Sequence, residues 1–196
     1  MQLSLTEEVK DITIAVLTVT LIFAYDMNNP ANTINLLPFY LFLVIVSFLF
    51  HELAHRFVAR RFGCKAVFKI WTQGIIFGLL FMLVGIKFVA PGAVTIYPYA
   101  FSRWGYRIVE LTAVEMGLIA ISGTGVNLAL ALFFKPLTGM LMWQGIDVFG
   151  SLSWLNAWWA LINLLPIPPL DGSKIIAWRP LIWGLVFLAA VLLVFL

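Results

Sequence analysis

Charge, histidine and cysteine are all scarce in this sequence. Only 11% of its 196 residues are Asp, Glu, Lys or Arg, against 63% with hydrophobic side chains. That leaves too few polar groups to coat a water-soluble globule. A single cysteine, Cys64, excludes an intramolecular disulfide and a cysteine-rich metal site; it reads as a small apolar residue at a helix end. No low-complexity tract or internal repeat is visible, and no stretch is long enough for a separate soluble domain. Residues 1–196 are therefore expected to form one membrane domain with no appended soluble one. The net charge is +3, yet the basic residues are dispersed among apolar runs, which excludes a nucleic-acid-binding face.

Long apolar runs, by contrast, are plentiful. A helix needs about 20 apolar residues to cross a bilayer, and residues 9 to 25, 36 to 62, 113 to 134, 148 to 166 and 179 to 196 qualify or nearly do. A sixth run covers residues 74 to 90. Glu7, Glu8 and Asp11 stand where a cleavable signal would be basic, so the first run is expected to be retained. KAVFKIW at 65 to 71 and GAVTIY at 92 to 97 have the alternation or β-branched content of strands. The expected fold is an all-α polytopic membrane protein with five to six transmembrane helices and a small membrane-associated β-hairpin or sheet.

Both histidines fall inside the second run, in HELAH at 51 to 55. Residues four apart lie one turn above each other on a helix, so His51 and His55 face the same way and can reach one ion. Glu52, beside the first of them, is placed to take a proton from a water held by that ion, whose pKa a bound zinc lowers to about 7. Ionisable groups in a membrane segment are costly and functional by default. Two histidines do not complete a catalytic zinc site, which uses three protein ligands, and the sequence has no third histidine. The remaining ligand must be a carboxylate. Outside the N-terminal tail and the motif, the candidates are Asp26, Glu110, Glu115, Asp147 and Asp171.

Topology chooses among them. Arg56, Arg60, Arg61, Lys65 and Lys69 follow HELAH, which makes that end of the helix cytoplasmic. The nine residues from His51 to Arg60 span about 14 Å, so the ion would lie below the headgroups. Taking 113 to 134 outward and 148 to 166 inward returns Asp171 to the cytoplasmic side. This parity holds only if 74 to 90 re-enters or lies in the interface without crossing once.

Together these residues resemble the site-2 protease family of intramembrane zinc metalloproteases. HELAH is one motif; ISGTGVN at 121 to 127 and NLLPIPPLDG at 163 to 172 are the others. The last fits the family pattern N-x-x-P-x-P-x-x-D-G at Asn163, Pro166, Pro168, Asp171 and Gly172. The middle one departs from S-G-P-x-x-N by having Thr124 in place of proline. The resemblance implies one Zn2+ held by His51, His55 and Asp171, with Glu52 as the catalytic residue. It also implies a substrate-binding or oxyanion role for Asn127 and Asn163, beside which an interhelical hydrogen bond is an equal reading of each. The implied partners are the lipid bilayer and membrane-protein substrates with a transmembrane helix. The implied location is multi-pass in the cell membrane, with the site toward the cytoplasm. A metal-binding membrane protein without hydrolysis, either a pseudoprotease or a metal transporter, is the alternative.

Overall fold

A computed structural model describes residues 5–97, 99–102, 105–108 and 110–196 of the chain. The first apolar run forms α1, Leu5–Ala24. The second forms a continuous 32-residue helix, Pro30–Arg61, which contains α2, Thr33–Val44, a π turn, Ile45–Leu49, and α3, Phe50–Arg61. A π turn widens the helix and disturbs the regular carbonyl pairing, and here it immediately precedes the histidines. α3 stops at Gly63, whose φ of 78° suits glycine. Its N–H bonds to Arg60 O at 3.0 Å and that of Cys64 to Ala59 O at 3.1 Å, the paired closure of a Schellman ending. Cys64 is buried there; burial pushes its thiol pKa up, with Glu115 adding to the effect. That is the inert state of a packing cysteine.

β1, Lys65–Ile70, pairs antiparallel with β2, Gly92–Tyr97, in register from Lys65↔Tyr97 to Ile70↔Gly92. Between them lie α4, Thr72–Leu83, and a non-helical return. The apolar run at 74 to 90 therefore leaves one sheet and comes back to it. Its far end is fastened to α1: Lys87 Nζ donates to the carbonyls of Ile22 and Tyr25. Trp158 Nε1 in turn donates to Lys87 O at 3.0 Å.

Beyond a second hairpin, β3 (Tyr99–Ser102) with β4 (Gly105–Ile108), comes α5, Ala113–Phe134. Thr112 and Glu115 start it with a reciprocal capping box, a T-x-x-E signal that satisfies two otherwise unpaired N–H groups. A two-residue-per-strand hairpin, β5 (Met142–Trp143) with β6 (Ile146–Asp147), leads to α6, Val148–Asn163. Asp147 caps α6 by accepting from Gly150 N at 3.1 Å and also accepts from Gly139 N at 2.9 Å. α7, Asp171–Trp178, and α8, Pro180–Phe195, complete the chain.

The fold is thus mostly helical with small two-stranded antiparallel sheets. Two of its described helices, Pro30–Arg61 and Ala113–Leu137, are long and apolar enough to cross a membrane, and α4 and α8 are shorter apolar helices. The core is built where α1, the long helix and α6 meet, around Val19, Ile22, Leu43, Phe48, Leu152 and Trp159. Phe48 sits edge-on to both Phe68 and Trp159. Outward faces carry exposed Leu80, Leu132, Phe133, Leu181 and Leu185, an apolar exterior of the kind that marks an interaction with lipid or protein.

Candidate metal centre

Two elements distant in sequence bring three ligand-capable side chains together. α3 presents His51 and His55, edge-on with ring centroids 4.6 Å apart, and the start of α7 presents Asp171. His55 Nε2 lies 2.9 Å and His51 Nε2 3.4 Å from Asp171 Oδ2, and the two Nε2 atoms are 3.0 Å apart. All three side chains are buried, with one donor atom of each within 4.8 Å of the others. The proline-rich turn after α6 ends the helix and swings the chain back so that α7 begins at the histidines.

The donor chemistry fits a divalent cation. His55 Nδ1 is 2.7 Å from Ile119 O, and a carbonyl only accepts, so Nδ1 carries a proton and, in the neutral ring, Nε2 offers a bare lone pair. That lone pair points at a carboxylate oxygen, an arrangement of like electron density that a cation resolves. Donors bound about 2.0–2.1 Å from a tetrahedral zinc lie about 3.3 Å apart, close to the separations found here. Asp171 divides its oxygens: Oδ2 faces the imidazoles and Oδ1 accepts from Lys174 Nζ at 3.2 Å. α5 closes the other side, and Gly123 is required there, since a Cβ would run into both imidazole rings.

Glu52 lies in the same cleft, which is also lined by Ala90, Val94, Ile96, Asn163 and Lys174. It is buried, its Oε2 has no hydrogen-bond partner and it makes no ion pair among the described residues. The backbone N–H of Val94 in β2 lies on the same side of the cleft. An orphaned carboxylate oxygen facing a cleft is the group that would meet a water or substrate.

The two predicted asparagines part company. Asn163 lines the cleft, and its Nδ2 donates back to Trp159 O at 2.9 Å. Asn127 does not line it. It is fully buried behind His51, its Oδ1 2.6 Å from His51 Nδ1 and its Nδ2 donating to Ser47 O (2.9 Å) and Asn156 Oδ1 (2.8 Å). Both amide hydrogens are engaged, so no donor is left for an oxyanion; the interhelical reading of Asn127 is the one this geometry has. Sequence reasoning missed Asn156 and Lys174. The first is one of two asparagines in its apolar run and carries no signal of its own; the second is a cation one turn from Asp171. Ser122 Oγ, 3.4 Å from His55 Nδ1, forms no serine–histidine dyad, because that nitrogen holds a proton for Ile119 O.

A buried pair of imidazoles and a carboxylate, with a free glutamate beside them, is the layout of a metal-dependent hydrolase. Known proteins name the class more narrowly. "Putative zinc metalloprotease MJ0611" of Methanocaldococcus jannaschii is 40% identical over 189 residues, which cover 91% of this chain and 88% of the relative. The similarly named YwhC of Bacillus subtilis is 34% identical over 165 residues (73% and 69%). Rip2 of Mycolicibacterium smegmatis is 27% identical over 146 residues (65% and 52%). No family model and no solved structure matches the chain. The chain belongs to this family of zinc metalloproteases, and zinc is the ion that the family implies.

Proposed function

We propose that this protein is an intramembrane endopeptidase of the site-2 protease type, cutting transmembrane or membrane-near segments of other membrane proteins. The observation that carries the reading is the unpartnered Oε2 of Glu52 in the cleft that holds His51, His55 and Asp171. In this reading those three side chains hold one Zn2+. When bound, zinc supplies Lewis acidity toward the scissile carbonyl and eases ionisation of water. Glu52 takes the proton from the attacking water and returns it to the leaving amine. Lys174 holds the second oxygen of Asp171, fixing the carboxylate's orientation, and Asn163 is the candidate to contact substrate.

A peptide bond within a helix is shielded by its own hydrogen bonds, so substrate must unwind locally, and Gly, Asn or Pro near the cut should favour cleavage. The outer edge of β2 borders the cleft through Val94 and Ile96, and an unwound segment can add to it as a strand. We take α1, Pro30–Arg61, α5, α6 and α8 as five crossings in the cell membrane, with residues 71–91 re-entrant. His51 and Asp171 then share the cytoplasmic side.

The test is reconstitution in vesicles with a single-pass substrate, alongside zinc analysis. Wild type should cut and Glu52→Gln should keep its zinc while cutting nothing. A zinc-loaded wild type that hydrolyses soluble unfolded peptides and leaves every embedded helix intact would sink the intramembrane part of the proposal.

A further inference from the structure

Asn127 and Asn156 form a relay whose hydrogen-bond polarity is dictated at both ends by backbone carbonyls. Asn156 Nδ2 donates to Leu152 O at 2.9 Å. A carbonyl cannot donate, so this end of the Asn156 amide is the NH2 and the other, Oδ1, must accept. It faces Asn127 Nδ2 at 2.8 Å, and the second hydrogen of that amide goes to Ser47 O at 2.9 Å. Ser47 lies inside the π turn, where the widened helix makes its carbonyl available. Turning the Asn127 amide over would set its oxygen against two acceptors at once. Its Oδ1 therefore stays on His51 Nδ1, 2.6 Å away. Asn127 and Asn156 are each 0% exposed, so no water can substitute for a missing partner.

We infer that Asn127 is a positioning residue: locked by Ser47 and Asn156, it holds His51 as the Nδ1–H tautomer and turns a bare Nε2 toward Asp171. The inference rests on the reading of His51 as a metal ligand, and it gives Asn127 a role at the far side of the imidazole from any substrate. The two histidines reach one state by different means. His55 is held by a backbone carbonyl of α5, whereas His51, on the π-turn side, has only a side-chain amide.

With two histidines in the chain, imidazole 15N spectra of the purified, metal-free protein in its neutral form contain two rings, each of which reports its own tautomer. Wild type should show Nδ1–H at both. Asn127→Leu removes the acceptor and should release His51 toward Nε2–H, leave His55 unchanged as an internal control, and weaken zinc binding about 10- to 100-fold in chelator competition. Asn127→Asp sets its second oxygen, unless that oxygen takes up a proton, against Ser47 O and Asn156 Oδ1, but it keeps an acceptor for His51, so it should preserve the tautomer and hold zinc more tightly than Asn127→Leu. A merely structural role would make both variants lose zinc alike. That outcome overturns the inference, as does Nε2–H at His51 in wild type or an unchanged His51 tautomer in Asn127→Leu. Failure of the wild type to bind zinc would instead remove the metalloprotease reading, while its His51 tautomer would still decide the relay.

Discussion

Two glutamates flank the β1–β2 sheet at one register position, and each is 8% exposed. Phe68 and Val94 face each other across the ladder, and their N–H groups point away from it on opposite edges. On the β1 edge, Glu8 of α1 accepts from Phe68 N at 2.9 Å and is ion-paired with Arg56. Asp11 accepts in turn from Ile70 N at 3.4 Å. On the β2 edge, Glu52 shares the cleft with Val94, and its Oε2 has no partner. Equal burial thus has two outcomes. A paired carboxylate closes a strand edge that would otherwise recruit another chain. An unpaired one, beside two imidazoles, is the group to which the proposed mechanism gives proton transfer.

The comparison can be broken most severely at Glu52. Glu52→Gln keeps the side chain's shape and should lower cleavage by at least about 10²–10⁴-fold with zinc content unchanged by elemental analysis. Next comes Arg56→Leu, which turns Glu8 into a second orphan. Loss of one partner from a buried pair is strongly destabilising, but Arg56 is a fifth exposed, so about 2 kcal/mol is expected after solvent screening. It should appear as a lower thermal midpoint, with the folded fraction still holding zinc. Glu8→Gln should be milder, about 1 kcal/mol, since an amide oxygen still accepts from Phe68 and Arg56 retains access to solvent; a midpoint as low as that of Arg56→Leu would show that loss of the pair itself, and not the buried carboxylate left without a partner, sets the cost. The smallest effect is expected from Ile96→Pro. Its N–H points off the sheet at the cleft edge, so the ladder to β1 survives and one strand-addition bond is lost. Cleavage should slow about fivefold, one hydrogen bond at about 1 kcal/mol, and an unaltered rate on an unwound substrate would count against binding at this edge.

Much of the site was legible because its signals are local or follow from parity. His51, Glu52 and His55 sit within one helical turn and a half, and Asp171 was selected by counting crossings and by its D-G context. The α5 start has its own sequence signal in Thr112 and Glu115, which apolar content alone does not reveal. The Glu8–Arg56 pair, the π turn and Asn156 were not legible. Glu8 meets a strand 60 residues away and Asn127 meets residues 80 and 29 positions away, and no short-range pattern marks such pairs. Asn127 shows the limit well: a motif marked it as important, but whether its amide faced substrate or a histidine depended on which side of α5 it occupied.

The linear order of residues was enough to demand an oily exterior, a two-histidine helix with its glutamate, and strands on either side of an apolar excursion, because hydrophobic periodicity and ligand spacing are short-range properties. Three-dimensional packing alone decided which carboxylate would be neutralised and which left free, and which asparagine would stand behind an imidazole. Those outcomes depend on the approach of α1, α5, α6 and α7 to one another, where burial turns each available partner, or its lack, into a difference of function.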